Sequence, residues 1–84
     1  MINWEDYIEL NPEVMVGKPV VKGTRLTVEH VVGLLAAGWP IEDILQGFPS
    51  LTRESIQACL AYALDLLESE VSLAPAHAHA HALK

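Results

Sequence analysis

Residues 27–70, TVEHVVGLLAAGWPIEDILQGFPSLTRESIQACLAYALDLLESE, determine the fold of this chain. Apolar residues recur at intervals of three and four in three segments of this stretch, and that period is typical of helices that bury one face. Glycine and proline separate the segments. The stretch therefore predicts three helices, over about residues 28–37, 41–46 and 53–70.

The residues at the predicted helix ends support these bounds. Thr27 and Thr52 precede the first and third helices, and a threonine hydroxyl at that position accepts a hydrogen bond from the first turn. Gly38 suits the left-handed conformation that ends the first helix. Pro40 is predicted at the first position of the second helix, where its missing N–H has no cost.

Each predicted helix has an apolar stripe that we expect to face the core. The stripes consist of Val28, Val31, Val32 and Leu35 in the first helix, of Ile41, Ile44, Leu45 and Phe48 in the second, and of Ile56, Leu60, Ala63, Leu64 and Leu67 in the third. The third helix has a second apolar face beyond this stripe, and its alanines would let another helix approach closely. We therefore expect a homodimer or larger assembly. The candidate interface residues are Ala58, Cys59, Ala61, Tyr62 and Leu66.

Residues 7–26 contain β-branched residues interrupted by turns, and they predict a short β element. Residues 7–10 alternate between apolar and polar, and residues 14–16 and 20–22 are further strand-like pieces. A two-stranded ribbon is barely stable alone, so this one must pack on helices or on a second copy. The predicted fold class is mainly α, with a short N-terminal β element followed by a three-helix helix-turn-helix bundle, in one domain of residues 1–73.

Composition and charge limit the classes of function. The 84 residues carry a net charge of −6, and 51% of them are hydrophobic. No run of about 18 apolar residues is present to span a membrane, the first residues do not form a secretory signal, and a single cysteine, Cys59, fits a reducing cytoplasm. Three of the five cations, Lys18, Lys22 and Arg25, lie within eight residues of one another.

The third predicted helix could read DNA if the three helices form a helix-turn-helix unit. Residues at the start of such a helix face base edges. Here the candidates are Thr52, Arg53, Ser55 and Gln57. They include one cation, although phosphate contacts by cations supply much of DNA affinity. A trihelical bundle that does not contact DNA remains the alternative.

The sequence also resembles a known family. Residues 17–28, GKPVVKGTRLTV, resemble the hallmark of domain of unknown function 433, and LAAG at 35–38, IEDIL at 41–45 and FPSLT at 48–52 are similar to the rest of its pattern. The resemblance covers about residues 4–67. It implies a homeodomain-like three-helix unit after a β element, and a protein similar to VapB-type antitoxins, which are often encoded beside a PIN-like ribonuclease toxin. The His-rich tail and the scarcity of cations in the third helix depart from the family pattern.

This resemblance implies an antitoxin of a type II toxin–antitoxin system. We expect it to bind and inhibit a PIN-like ribonuclease toxin, and operator DNA is a further candidate partner. The candidate toxin-binding residues are Lys18, Lys22, Arg25 and Trp39. The positive charge of the three cations would face the carboxylates that metal-dependent RNA cleavage requires, and Trp39 would serve as an apolar anchor. Two alternatives stay open. Arg25 could instead tie the β element to an acidic side chain or to the carbonyls at a helix C-terminus, and the whole protein could be an oligomeric interaction module that does not bind DNA.

We expect neither catalysis nor a metal or other cofactor. His30 stands in the first helix without a serine or cysteine nucleophile nearby in the sequence, and Cys59 lies mid-helix, where a packed thiol is the expectation. His77, His79 and His81 alternate with alanine in residues 74–84. Such a tail could hold Zn²⁺ or Ni²⁺ weakly, but low-complexity alternation of this kind is more typical of a flexible tail.

Overall fold

The computed structural model describes residues 1–13 and 17–73, and it describes side chains as far as residue 69. The elements in chain order are a 3-10 turn at Trp4–Asp6, strands β1 (Ile8–Glu9) and β2 (Val20–Val21), and helices α1 (Val28–Ala36), α2 (Ile41–Gly47) and α3 (Arg53–Leu73). The prediction of a mainly helical fold with a short N-terminal β element is confirmed. The sequence did not predict the 3-10 turn, in which the Asn3 side chain accepts a hydrogen bond from the Glu5 N–H.

Strands β1 and β2 form an antiparallel ribbon in which Ile8 lies opposite Val21 and Glu9 opposite Val20. Each strand is two residues long, shorter than the predicted pieces at 7–10 and 20–22. The ribbon is stabilised by burial, since Ile8, Val20 and Val21 are all buried, as expected for a pair of strands too short to persist in water. The third predicted piece, residues 14–16, lies outside the described residues.

Backbone and side-chain caps fix the ends of α1 and the start of α2. The Thr27 hydroxyl accepts from the His30 N–H at 3.0 Å, as the sequence predicted. Gly38 follows α1 with a φ of +96°, in the left-handed region that glycine adopts without a Cβ clash. Pro40 is the N-cap residue of α2, and the helix begins one residue later at Ile41. Pro40 has an extended ψ of 150°, so its predicted placement as the first helical residue was wrong by one position.

The core lies where the ribbon and the three helices meet. Buried residues from all of these parts form one cluster that consists of Ile8, Val21, Val28, Val31, Ile44, Leu51, Ile56, Ala58 and Cys59. Partly buried side chains from the predicted stripes of α1 and α2, among them Val32, Leu35, Ile41, Leu45 and Phe48, pack against this cluster. The core stripes of the first two helices are therefore as predicted.

The predicted core stripe of α3 was largely wrong. Ile56 is buried, but Leu60, Leu64 and Leu67 are 45%, 38% and 58% exposed. The face packed against the rest of the protein carries the smaller Ala58, Cys59 and Ala61. Both faces are apolar, so hydrophobicity alone does not choose between them. The small residues allow close packing of α3 against α1 and the N-terminal segment, whereas leucines at those places would hold the elements apart.

Candidate partner-binding surfaces

Residues 22–25, here called the basic turn, connect β2 to the segment before α1 in a fixed conformation. Gly23 has a φ of +78°. The Thr24 hydroxyl donates to the Val21 carbonyl at 2.8 Å and accepts from the Leu26 N–H at 3.0 Å. This side chain therefore links the residues before and after the turn.

The basic turn presents two cations to solvent. Lys22 and Arg25 are exposed, and within the described part of the chain neither side chain has a hydrogen-bond or ion-pair partner. The alternative in which Arg25 ties the β element to an acidic side chain is therefore not found among these residues. Two positive charges without a partner among the described residues form a site that can attract an anionic surface.

Lys18 lies beside this site but is partly compensated. Its Nζ lies 3.4 Å from Glu29 Oε1 in the first turn of α1. Both side chains are largely exposed, so the pair contributes little to stability, but the nearby carboxylate reduces the positive charge that Lys18 offers a partner. Of the three predicted cations, Lys18 is therefore paired, whereas Lys22 and Arg25 have no partner among the described residues.

Trp39 does not belong to the same patch. It follows Gly38 beyond the C-terminal end of α1, whereas the basic turn precedes the N-terminal end. A nine-residue helix is about 14 Å long, so the indole, which is 44% exposed, lies at the opposite end of α1 from Arg25. The four predicted toxin-binding residues would therefore need a partner that extends along the whole helix.

The candidate DNA-binding residues at the start of α3 are mostly engaged within the protein. The Thr52 hydroxyl accepts from the Ser55 N–H at 3.1 Å, and the Ser55 hydroxyl accepts from the Thr52 N–H at 2.9 Å. This reciprocal arrangement is a capping box with serine at the third position. Ser55 is buried, so its hydroxyl is not available to a base edge, and this part of the predicted DNA site was wrong.

Arg53 and Gln57 complete the predicted DNA site. Arg53 Nη2 lies 2.8 Å from Glu42 Oε2 on α2, and this hydrogen bond lowers the pKa of the Glu42 carboxyl below its usual value. The guanidinium is therefore already paired with a carboxylate. Gln57 is exposed, so it is the one of the four candidates whose side chain is free of these internal contacts.

The predicted dimer interface on α3 was also wrong in its main residues. Ala58 and Cys59 have no exposed surface, so a second copy cannot contact them while the core is intact, and Ala61 is only 6% exposed. Tyr62 is partly buried and packs edge-on against Trp4, with ring centroids 4.7 Å apart. Leu66 is half exposed. Burial raises the pKa of the Cys59 thiol to about 11, which keeps it in the unreactive neutral form.

The structure places an exposed apolar surface where the sequence predicted core. Leu60, Leu64 and Leu67, here called the leucine ridge, lie at intervals of four and three on α3, so they share one face of the helix. The intervals were visible in the sequence. The sequence does not show that the face with Ala58, Cys59 and Ala61 packs more closely against the rest of the chain than the leucine face does.

His30 and the possible metal ligands are the remaining candidates from the sequence. His30 is exposed and lies edge-on to Phe48, with centroids 5.8 Å apart, so an aromatic contact accounts for its position. Among the described residues, no group of three potential metal ligands lies close enough together to hold an ion. His77, His79 and His81 lie outside the described residues.

Within the part of the chain that the structure covers, no helix has the length and apolar character needed to cross a bilayer.

Comparison with known proteins agrees with the resemblance seen in the sequence. Residues 8–63 match the family described as "Protein of unknown function (DUF433)". Over 58 residues the chain is 38% identical to the uncharacterized protein y4eO of Sinorhizobium fredii (strain NBRC 101917 / NGR234), covering 69% of this chain and 26% of that protein. The chain belongs to the DUF433 family, and the predicted membership is confirmed.

A solved structure has a similar fold. The crystal structure of a DUF433 member protein from Anabaena variabilis ATCC 29413 aligns with a TM-score of 0.71 at 28% identity, over 77% of this chain and 64% of that one. The present chain therefore spans about a quarter of the curated relative and just under two thirds of the crystallised one.

Proposed function

We propose that this protein is the antitoxin of a type II toxin–antitoxin pair, and that it binds and inhibits a PIN-like ribonuclease in the cytoplasm. The observation that carries the proposal is the basic turn, in which Lys22 and Arg25 are exposed and have no hydrogen-bond or ion-pair partner among the described residues. The resemblance of the family to VapB-type antitoxins supports the identity of the partner. The proposal is one of binding rather than catalysis.

The chemistry of the two surfaces is complementary. A metal-dependent ribonuclease gathers carboxylates around its metal ions, and a guanidinium can bind a carboxylate through two parallel hydrogen bonds. Arg25, inserted among these carboxylates, would compete with the metal ion for them. The acidic remainder of the antitoxin, with its net charge of −6, would repel RNA from the complex.

Operator DNA has less support as a partner. Phosphate contacts need free cations, but Arg53 is paired with Glu42 and Ser55 is buried in the helix cap. The proposal therefore assigns the main interaction to protein. If an operator is bound through a helix-turn-helix, Gln57 and a released Arg53 would be the contacts at the start of α3.

A second candidate function is an oligomeric interaction module, which the leucine ridge favours because three exposed leucines on one helix face are a typical protein-binding surface. Self-association is compatible with both candidates, and many small regulatory proteins combine a self-contact with a partner site. The two candidates differ in whether a ribonuclease is the partner, and this difference can be tested directly.

The test is growth rescue by co-expression with a PIN-like ribonuclease encoded beside the gene. We expect the wild-type chain to relieve growth arrest and Arg25→Gln to relieve it several-fold less. Gln46→Glu is the matched control, because it makes the chain more negative by the same single charge at an exposed position of α2. Equal rescue by Arg25→Gln and Gln46→Glu would refute the role of the basic turn. Failure of any PIN-like protein to co-purify would refute the antitoxin proposal and leave the interaction module.

A further inference from the structure

The leucine ridge is flanked by shallow depressions on both sides. One is lined by Ile2, Ala61 and Leu64 together with Met1, Gln57 and Leu60. The other is lined by Ile41, Arg53 and Ile56, again with Gln57 and Leu60. Gln57 and Leu60 line both depressions, so this part of α3 lies between two grooves on a surface that is mostly apolar.

We propose that the leucine ridge is the contact surface for a second copy of this chain, with the two α3 helices packed antiparallel. The proposal does not depend on the ribonuclease as partner, since self-association is compatible with both candidate functions. A ridge beside a groove is complementary to itself under a two-fold rotation, because the ridge of each copy then fills the groove of the other. No second kind of surface is needed.

The spacing along α3 fits this packing. Arg53, Gln57, Leu60, Leu64 and Leu67 follow one another at intervals of four, three, four and three residues, which is the alternation of a coiled-coil seam. If the two α3 helices pack antiparallel and cross near residue 62, Leu60 of one copy lies opposite Leu64 of the other. Leu67 then lies opposite Gln57. The contact then covers Leu60, Leu64 and Leu67, the three ridge leucines, of both chains.

Charge selects the antiparallel direction over the parallel one. The N-terminal end of the seam carries Arg53, and the C-terminal end is flanked by the exposed carboxylate of Glu68. Antiparallel packing brings each Arg53 towards the Glu68 end of the other copy, whereas parallel packing brings the two Glu68 carboxylates together. Arg53 is already bonded to Glu42, but a guanidinium has five N–H donors and can bind a second carboxylate.

Leu66 provides a matched control on the same helix. At 100° per residue it lies about 120° around α3 from Leu60, whereas Leu64 and Leu67 lie within about 40° of Leu60. Its exposed fraction, 51%, is similar to those of the ridge leucines, but it lines a different depression with Trp4 and Tyr62. A charge introduced at Leu66 should therefore leave the proposed contact intact.

The test is the mass of the protein alone by sedimentation at tens of micromolar, with no ribonuclease present. We expect wild type and Leu66→Glu to sediment at twice the 9.2 kDa of one chain. Leu67→Glu should weaken the dimer by about a hundredfold or more, because each dimer loses two buried leucines, and circular dichroism should show an unchanged fold. A monomeric wild type, or equal disruption by Leu66→Glu, would overturn the proposal.

Cross-linking tests the direction of packing with Gln57→Cys and Glu68→Cys chains and a short bismaleimide. Antiparallel packing predicts a cross-linked dimer when the two variants are mixed and little when either is treated alone. Efficient cross-linking of Gln57→Cys to itself would overturn the antiparallel arrangement. These outcomes are independent of the proposed toxin site. Sedimentation and cross-linking measure the contact between two copies of the chain, whereas the growth assay measures the contribution of Arg25 to ribonuclease inhibition.

Discussion

Arg25 and Arg53 are both exposed arginines, yet their surroundings give them different roles. Arg53 is bonded to Glu42 across the α2–α3 contact, so its charge is compensated within the chain. Arg25 has no such carboxylate among the described residues and projects from a turn held by Thr24. From sequence alone, both were candidate ligand contacts. The distinction depends on which acidic residues the fold brings near each arginine. Residue type and spacing in the sequence do not show this.

Cys59 allows a test of the core at the scale of one atom. Burial raises the pKa of its thiol to about 11 from an ordinary 9.0, so the folded state favours the neutral thiol. This contribution to stability is fully present below about pH 9, and it is lost as the pH rises through 11 because the unfolded chain ionises first.

We therefore expect the free energy of unfolding of the wild type to fall between pH 9 and pH 11. In Cys59→Ala the fall over this range should be smaller, once the destabilisation caused by the substitution itself, measured at pH 7, has been subtracted. Urea titrations across this range measure it. Rapid reaction of the native thiol with a disulfide reagent at pH 8 would contradict the buried, neutral state of Cys59.

At the scale of elements, the basic turn depends on a backbone conformation that glycine supplies. Gly23 has a φ of +78°, and a Cβ there would meet no atom within 4 Å. Any cost of Gly23→Ala therefore comes from the left-handed backbone and not from a clash. We expect Gly23→Ala to destabilise the fold by about 1–2 kcal/mol.

Gly33→Ala is the matched control, since Gly33 lies inside α1 and also has open space around its Cβ position. Alanine at a helical position of this kind stabilises by about 1 kcal/mol. Thermal unfolding should therefore show shifts of opposite sign for the two substitutions. Shifts of the same sign and size would mean that the backbone conformation of the turn does not control stability.

Helix α3 marks the limit of what the sequence could predict. The period of the apolar residues fixed α1, α2 and α3 to within a few residues, because helix caps and glycine or proline breaks agree with that period. For α3 the same period fits two faces, one with leucines and one with alanines and a cysteine. The choice between them depends on how closely α1 and the N-terminal segment can approach, which is a property of the packed core. The candidate interface residues Ala58, Cys59 and Ala61 were misplaced for this reason.

At the scale of the whole molecule, the two proposed contact surfaces belong to different elements. The basic turn lies before α1, and the leucine ridge lies on α3 outside the core. The charge on the basic turn favours fast and specific association with a complementary surface. The apolar area of the leucine ridge supplies affinity when it is buried. One chain could then pair with its copy and still present Arg25 to a ribonuclease.

The central claim is that the free charges of the basic turn bind an acidic site on a PIN-like ribonuclease. The most direct measurement is the Kd of the purified pair as a function of salt, for wild type, Lys22→Gln/Arg25→Gln and Asn3→Asp/Gln46→Glu. The two double variants change the net charge equally. We expect the first to bind about tenfold or more weakly, with a smaller salt dependence, and the second to behave as wild type. Equal affinities and equal salt dependences for all three proteins would contradict the claim.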